Sequence, residues 1–406
     1  MLEFKTIEDF DLNGKKVIIR VDFNVPVKDG KITDDNRIVK SIKTIKYALD
    51  NGAKEVILMS HMGKVKKEED KAKNSLRVVV PRLEELLNMP VDFIEHTSGN
   101  ELISDLKNSN NRVKLMENTR YEDLNNKRES KNDDNLGRHW ATLGDIAIFD
   151  GFGASHRDHA STSSMFKHIE CGIGFLALEE ISKIEEITNE NTHPFVIVMG
   201  GAKVSDKIAV INNLIDKCDK LIIGGAMAFT FLKALGYNVG KSLVDDEHIE
   251  FCRDLMHKYA SKISLPFDVV TNNGVKTINN ILDDEMGLDI GPETVKLFKE
   301  NLADAKRVIA NGTMGKNEEE KYAVGSREIY GFLASSDAKV LVGGGDTASA
   351  VNDFGLTNKF YHISTGGGAT LEYLGGNLGS IFEILKSSSV TYGKNKKRNI
   401  LLPRIV

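Results

Sequence analysis

Five times in the second half of this chain an apolar run gives way to glycine: GGAKVSDK at 200–207, GGAMAF at 224–229, NGTMG at 311–315, GGGDTA at 343–348 and STGGGAT at 364–370. Glycine between a strand and a helix permits a sharp turn and brings backbone N–H groups, at the positive end of the helix dipole, close to an anion. One such turn serves equally as a plain connection. Several at the strand ends of one sheet point to phosphate. Asp346 would repel bare phosphate, so it calls for Mg2+ between its carboxylate and the phosphates of a nucleotide. A helix cap without metal is its other use. Lys203 and Lys207 stand four apart, which on the opening turn of a helix puts both ammonium groups on one face, within reach of one phosphate.

The first half carries side-chain chemistry instead. RVDFN at 20–24 brings Asp22 and Asn24, SHMGK at 60–64 brings His61 and Lys64, ENTRY at 117–121 brings Arg120, and GFGASHRDH at 151–159 brings His156 and Arg157. Such a set suits an anionic small molecule. His61, His156 and His159 form no HxH or HExxH pattern with a carboxylate at ligand spacing, so hydrogen bonding to the anion or packing is expected of them, not proton transfer. LGYNVGKS at 235–242 imitates a P-loop but is one residue short between its glycines and follows no apolar strand; it reads as a surface turn. No GxGxxG follows the first strand, which argues against a dehydrogenase.

These residues need a scaffold that brings them together. Short apolar runs alternate with segments of helical period from end to end, the pattern of βαβ units and a largely parallel sheet. Strands are expected at 16–23, 55–61, 113–117, 145–151, 194–201, 220–225, 307–312, 339–344 and 360–365. Ligands of open α/β sheets bind beyond the carboxyl ends of the strands, where the glycine turns and the loop cations named above lie. Leu178, Ile181, Ile184 and Ile187 recur at three-residue spacing within 176–194, predicting one long helix ended by an Asn/Thr/Pro cluster. It connects two α/β domains, or else packs inside one.

Length and composition agree. With 406 residues, 41% hydrophobic and 28% charged, the chain suits two soluble domains with a cleft. A net charge of −5 gives no general attraction for nucleic acid. Cys171, Cys218 and Cys252 lie far apart without CxxC spacing, which indicates neither a zinc site nor a disulfide framework and fits a reducing cytoplasm. Neither a signal peptide nor a membrane span is expected.

RVDFNVP (20–26), RI (37–38), SHMGK, ENTRY, FGASHRDHAS (152–161), GGAKVSDKI (200–208), GGAMAFTFL (224–232), GLDIGPET (287–294), NGTMG, GGGDTA and HISTGGGA (362–369) follow in the order of phosphoglycerate kinase, and the chain resembles that family from residue 20 to about 370. The resemblance implies two doubly wound, parallel-sheet, Rossmann-like α/β domains joined by a hinge helix. It sets a 3-phosphoglycerate-binding domain at 1–175, the connecting helix at 176–193 and a nucleotide-binding domain at 194–379, with the tail from about 380 to 406 free to pack back on the first. It implies reversible phosphoryl transfer from 1,3-bisphosphoglycerate to ADP, giving 3-phosphoglycerate and ATP, with Mg2+ on the nucleotide, by a cytoplasmic monomer or homodimer with no nucleic-acid or membrane partner. Asp22, Phe23, Asn24, Arg37, His61, Met62, Gly63, Lys64, Arg120 and Arg157 would hold the glycerate. Lys203, Lys207, Gly287, Leu288, Asn311, Glu318, Gly344, Gly345, Asp346 and Thr347 would serve the nucleotide, with Asp346 on the metal and Glu318 on the ribose. Arg37, Lys203 and Lys207, helped by backbone N–H groups at Gly366 to Gly368 and above all at Gly367, would neutralise the moving phosphoryl group.

The chain departs from the family in places. Lys64 and Val65 replace Arg-Pro, and Thr313, Lys316 and Asn317 alter the loop before Glu318. Gly151 replaces the usual Ala. Beyond residue 388 a longer tail carries Lys394, Lys396, Lys397, Arg398 and the segment ILLPRIV.

Overall fold

A computed structural model describes residues 4–388; the basic cluster and ILLPRIV lie outside the described residues. The chain divides into two compact units, one of residues up to Ser182 together with the segment from Leu378, the other Lys183–Asn377.

The first unit is built on six parallel strands in the order Val91–Ile94, Val113–Met116, Glu55–Met59, Lys16–Arg20, Ile146–Phe149, Glu170–Ile173. Its central strands are near-continuous apolar runs because helices cover both faces. In register, Ile19 lies beside Leu58 and Ile148. On one face Val17, Ile19, Val56, Leu58, Val113 and Leu115 pack against Ile38, Ile45 and Ala48 of helix Asn36–Asp50. Residues 380–388 are helical and belong to this unit, with Phe382 edge-on to Phe149 at 6.0 Å.

The second unit has six parallel strands in the order Ile263–Ser264, Lys220–Ile223, Phe195–Met199, Arg307–Asn311, Lys339–Gly343, His362–Ile363. Beside it stands an antiparallel sheet of Gly274–Thr277, Asp268–Thr271 and Gly287–Ile290. This sheet was not expected. Its hairpin turns through Asn272–Asn273 into Gly274, whose φ of +99° suits a tight loop, a signal overshadowed by the parallel pattern. The flanking strands Val91–Ile94 and Glu170–Ile173 were also missed, being short and without a bulky alternating run.

The expected strands all exist but end earlier. The first leaves the sheet after Arg20, not at residue 23, and the second after Met59, not at 61. The ligand-facing residues therefore lie on loops. Helix Phe175–Asn189 buries Leu176, Ile181, Ile184 and Ile187 while Glu179, Glu186 and Asn189 stay exposed, and Leu178 is only partly covered. The division between the units falls inside this helix. Among the described residues no helix is long and apolar enough to cross a membrane.

Candidate active site

In the first unit the four strands Val113–Met116, Glu55–Met59, Lys16–Arg20 and Ile146–Phe149 are adjacent and parallel, so the loops that follow them emerge side by side. The loops are interlocked by side chains. Asn24 Oδ1 accepts from the N–H of Gly63 at 2.9 Å, and Asn118 Oδ1 accepts from the N–H of Met62 at 3.0 Å. Gly63, at φ +57°, has no room for a Cβ, which would lie 2.1 Å from Asn74 Oδ1. Arg37, in the first turn of its helix, donates from Nη1 to the carbonyl of Asn24 at 2.9 Å and lies 3.1 Å from Asp22 Oδ2. That second contact is an ion pair without hydrogen-bond geometry, since Oδ2 has no hydrogen-bond partner. The loop from 151 closes over both, and a Cβ on Gly153 would meet Asp22 Oδ2 at 2.1 Å and Arg37 Cζ at 3.7 Å.

Electrostatically this is a cluster of cations. Arg157 is lowered by burial and then by Arg120 and Arg37, with Asp22 opposing. Burial and the surrounding Arg20, Arg120 and Arg157 hold His61 well below the ordinary histidine value, and the same causes bring His159 down to about 3. Both rings are neutral at physiological pH, so they can donate one hydrogen bond each but add no charge. The Nε of Arg120 is buried without a partner. Like charges crowded together with an unused donor cost free energy, which an anionic ligand offsets.

Asp22, Asn24, Arg37, His61, Arg120 and Arg157 are thus joined by direct contact or mutual electrostatics. Phe23 and Met62 differ from expectation: both side chains are buried in the core, and their N–H groups are taken by Ser60 Oγ and Asn118 Oδ1. They shape the loops and present no side chain to a ligand. Lys64 is exposed on the same loop as Gly63.

In the second unit a cleft of about 800 Å³ opens between the parallel and antiparallel sheets. Its walls include Phe229, Leu243, Pro266, Val269 and Met286, and Gly287, Leu288, Glu318 and Asp346 line it as well. Gly287 lies flat on Phe229, where an added Cβ would come 1.9 Å from Cζ. Leu288 holds the following loop by accepting from the N–H of Lys316 at 2.8 Å. The changed loop stays closed, because Thr313 Oγ1 donates to Gly315 O at 3.0 Å and Thr313 O accepts from the N–H of Gly201 at 2.9 Å. A cleft with apolar walls and a polar end fits a flat base and its sugar.

Near Asp346 lie the groups suited to phosphate. Lys207 Nζ donates to Asn311 Oδ1, and Asn311 Nδ2 donates to Gly343 O at 2.7 Å. Thr347 Oγ1 accepts from the N–H of Gly312 at 2.8 Å. Burial lowers the Lys207 pKa, opposed by Asp206 and Asp346. Gly344, at φ +94°, is the N-cap of helix Gly345–Asp353, so Asp346 sits within the first turn, exposed, and does not cap.

Two expectations are corrected here. Lys203 and Lys207 do not share a helical face, because the helix begins only at Ile208. Val204 turns inward, the N–H of Lys207 bonds to its carbonyl at 2.8 Å, and the turn buries Lys207 while leaving Lys203 exposed. The N–H of Gly366 is occupied by Ser364 Oγ at 3.1 Å; Gly367, at φ +55°, is the N-cap of helix Gly368–Leu374. At 235–242 the imitation P-loop is filled by protein: the N–H of Lys241 donates to Glu285 O at 2.7 Å, and a Cβ on Gly240 would lie 2.3 Å from the carbonyls of Leu282 and Glu285. It braces the antiparallel sheet, since Ser242 Oγ accepts from the N–H of Gly287.

Among the described residues no group of three or more His, Cys, Asp or Glu could hold a metal by itself. Lone, exposed Asp346 beside a glycine turn nevertheless fits Mg2+, which takes few protein ligands when phosphates and water supply the rest.

Sequence reasoning missed Arg20, Ser161 and Glu129, all buried beneath the cation cluster. An arginine ending an otherwise apolar strand was a readable sign for the first. Glu129, within a run of charged and polar residues, gave none.

The family model described as phosphoglycerate kinase matches residues 7–377. The chain is 49% identical over 387 residues to the phosphoglycerate kinase of Fusobacterium nucleatum, covering 92% of this chain and 97% of that one. To the phosphoglycerate kinase of Enterococcus faecalis it is 49% identical over 385 residues, covering 92% and 96%. Among solved structures it is similar to the phosphoglycerate kinase of Coxiella burnetii, with a TM-score of 0.83 at 34% identity over 96% of this chain and 100% of that one. The enzyme from Pyrococcus horikoshii is also similar, with a TM-score of 0.84 at 28% identity over 94% and 98%.

Proposed function

The chain belongs to the phosphoglycerate kinase family, and from that premise we infer how its residues divide the work. Its reaction is reversible phosphoryl transfer from 1,3-bisphosphoglycerate to ADP, giving 3-phosphoglycerate and ATP. The cations of the first unit hold the glycerate. Arg37, Arg120 and Arg157 meet its phosphate and carboxylate, Asp22 and Asn24 orient Arg37 and the hydroxyl, and His61 supplies an uncharged donor. Gly63 and Lys64 continue that loop, with Lys64 as a point charge where a guanidinium would grip with two prongs.

In the second unit, Gly287 and Leu288 take the base and Glu318 the ribose. Lys203, Lys207, Asn311 and residues Gly344 to Thr347 take the phosphates. Asp346 would be the protein's ligand to Mg2+, which when bound would supply neutralisation of the phosphate charge.

Phosphoryl transfer asks little covalent help of protein, so alignment and charge neutralisation supply the rate. Arg37 from one unit, with Lys203, Lys207 and the backbone of Gly367 from the other, stabilises the moving group. Since each substrate is held by a different unit, the units close about helix Phe175–Asn189 to bring donor and acceptor oxygens into line and exclude water. The three buried thiols, Cys171, Cys218 and Cys252, suit a reducing cytoplasm.

The observation that carries this reading is the separation of an arginine cluster in one unit from a base-sized cleft with a glycine turn in the other. A coupled assay with 3-phosphoglycerate and MgATP tests it. Arg37→Ala should lower kcat far more than nucleotide affinity, and Asp346→Ala should chiefly weaken MgADP binding. Equal loss of both quantities in either variant contradicts the roles.

A further inference from the structure

Beneath the glycerate cluster lies a buried polar relay with no direct access to a ligand. Arg20 and Glu129 are both 0% exposed. Arg20 donates from Nε to Ser161 Oγ at 2.9 Å, from Nη1 to the carbonyl of Val21, and from Nη2 to Nδ1 of His61 at 3.3 Å. Ser161 Oγ in turn donates to Glu129 Oε1, and the Ser161 N–H donates to Oε2 at 2.9 Å. Thr119 Oγ1 donates to Glu129 Oε1 at 3.0 Å, and the N–H of Ala160 to the Glu129 backbone carbonyl at 2.9 Å.

We propose that Glu129 and Arg20 are positioning residues of the glycerate site, presenting His61 to the substrate as a neutral Nε2–H donor and anchoring the loops that carry Arg120 and Arg157. The proposal rests on reading the first unit as the glycerate site. A guanidinium has donors only, so Nδ1 of His61 must accept, which leaves the ring proton on Nε2. Thr119 immediately precedes Arg120, and Ser161 closes the loop of Arg157, so one carboxylate ties both cation-bearing loops to the strand that ends in Arg20. Replacing buried charged groups by apolar side chains of similar volume is often neutral or stabilising, so stability alone does not account for the relay. What the charged relay adds is direction: a defined tautomer and two loops held in register. Burial raises the Glu129 carboxyl above its ordinary value, opposed by Arg20 and by the bonds from Ser161 and Thr119.

The test uses the full chain in wild-type, Glu129→Gln, Arg20→Lys, Ser161→Ala and Arg37→Ala forms. Long-range proton–nitrogen NMR on histidine-labelled protein reads the His61 tautomer, and steady-state kinetics reads KM for 3-phosphoglycerate and for MgATP separately. Wild type should show the proton on Nε2. Arg20→Lys should mix the tautomers, and all three inner variants should raise KM for 3-phosphoglycerate about tenfold or more, the scale of one charge-assisted hydrogen bond, with KM for MgATP unchanged. Ser161→Ala removes a single hydroxyl, so the relay is interrupted even where a change of core charge prevents folding. A wild-type His61 protonated on Nδ1 overturns the proposal, as does a rise in both KM values together with a lower Tm. If Arg37→Ala impairs 3-phosphoglycerate use while the inner variants keep wild-type KM and tautomer, the proposal alone falls. If Arg37→Ala is itself silent, the reading of the glycerate site falls with it.

Discussion

The ammonium of Lys207 is bonded to the side-chain oxygen of Asn311, and the other end of the same amide holds the carbonyl of Gly343. One buried asparagine therefore places both a cation and the entrance to the GGGDTA turn. Because the amide cannot rotate without losing both bonds, the distance from the ammonium to the glycine backbone is set before any phosphate arrives, which is what preorganised charge stabilisation requires.

Asn311→Ala should lower kcat by about 10- to 100-fold, since it removes a hydrogen bond to a charged group and frees the turn. KM for MgATP should rise and KM for 3-phosphoglycerate should stay constant. Kinetics with each substrate varied in turn decides the point, and a wild-type kcat would refute the role.

Gly344 and Gly345 are adjacent but not equivalent. A Cβ at Gly344 would lie 2.5 Å from Asn311 Nδ2, on a backbone at φ +94°, whereas nothing lies within 4 Å of a Cβ at Gly345. Gly344→Ala should weaken MgADP binding by about 5- to 150-fold through strain of roughly 1–3 kcal/mol, and Gly345→Ala should change it little. Titration calorimetry of both variants makes the comparison; equal affinities would show that the turn is not shaped for phosphate.

The pattern of glycine turns and of loop cations was legible because strand ends are marked in sequence by a change from branched apolar residues to Gly, Asp or Arg, and parallel neighbours put those ends together. The position of Lys207 was not. Spacing of four implies one face only if the helix has begun, and whether it begins at Lys203 or after Lys207 depends on Val204 finding a buried place, a tertiary fact. Likewise the tie between Glu129 and Ser161 spans loops far apart in the chain, and no local period encodes it. The antiparallel sheet behind the cleft was lost for another reason: four-residue strands between polar turns carry too little alternation to stand out.

Gly153 is the point where an added Cβ on the loop from 151 would meet Asp22 Oδ2 and come within 3.7 Å of Arg37 Cζ. Gly153→Ala should push the Asp22 carboxylate off Arg37 and raise KM for 3-phosphoglycerate about tenfold or more, the cost of one mispositioned charged contact. MgADP affinity, measured by calorimetry, should be unaffected, because every nucleotide contact proposed lies in the other unit. A parallel loss of MgADP affinity would mean that the substitution unfolds the protein instead of disturbing one site.

Asp150 gives a prediction about pH. It is fully buried where strand Ile146–Phe149 ends; its Oδ1 accepts from the N–H of Ala177 at 3.1 Å, and its Oδ2 has no hydrogen-bond partner. Burial pushes this carboxyl up to about 7, opposed by Thr44 and by the backbone N–H groups of Ala177 and Leu176. Between the ordinary carboxylate value and about 7 the folded chain keeps a proton that the unfolded chain has released, so stability falls as pH rises through that interval and levels off above it. The Asp150→Asn variant mimics the protonated carboxyl and has no such dependence. Urea unfolding of both proteins should therefore show Asp150→Asn gaining on wild type by about 1.4 kcal/mol per pH unit up to pH 7 and no further above it. The two low-titrating histidines contribute equally to both proteins and cancel in the difference. A difference independent of pH would mean that Asp150 is already ionised in the folded state, and that the N–H groups at the start of helix Phe175–Asn189 outweigh its burial.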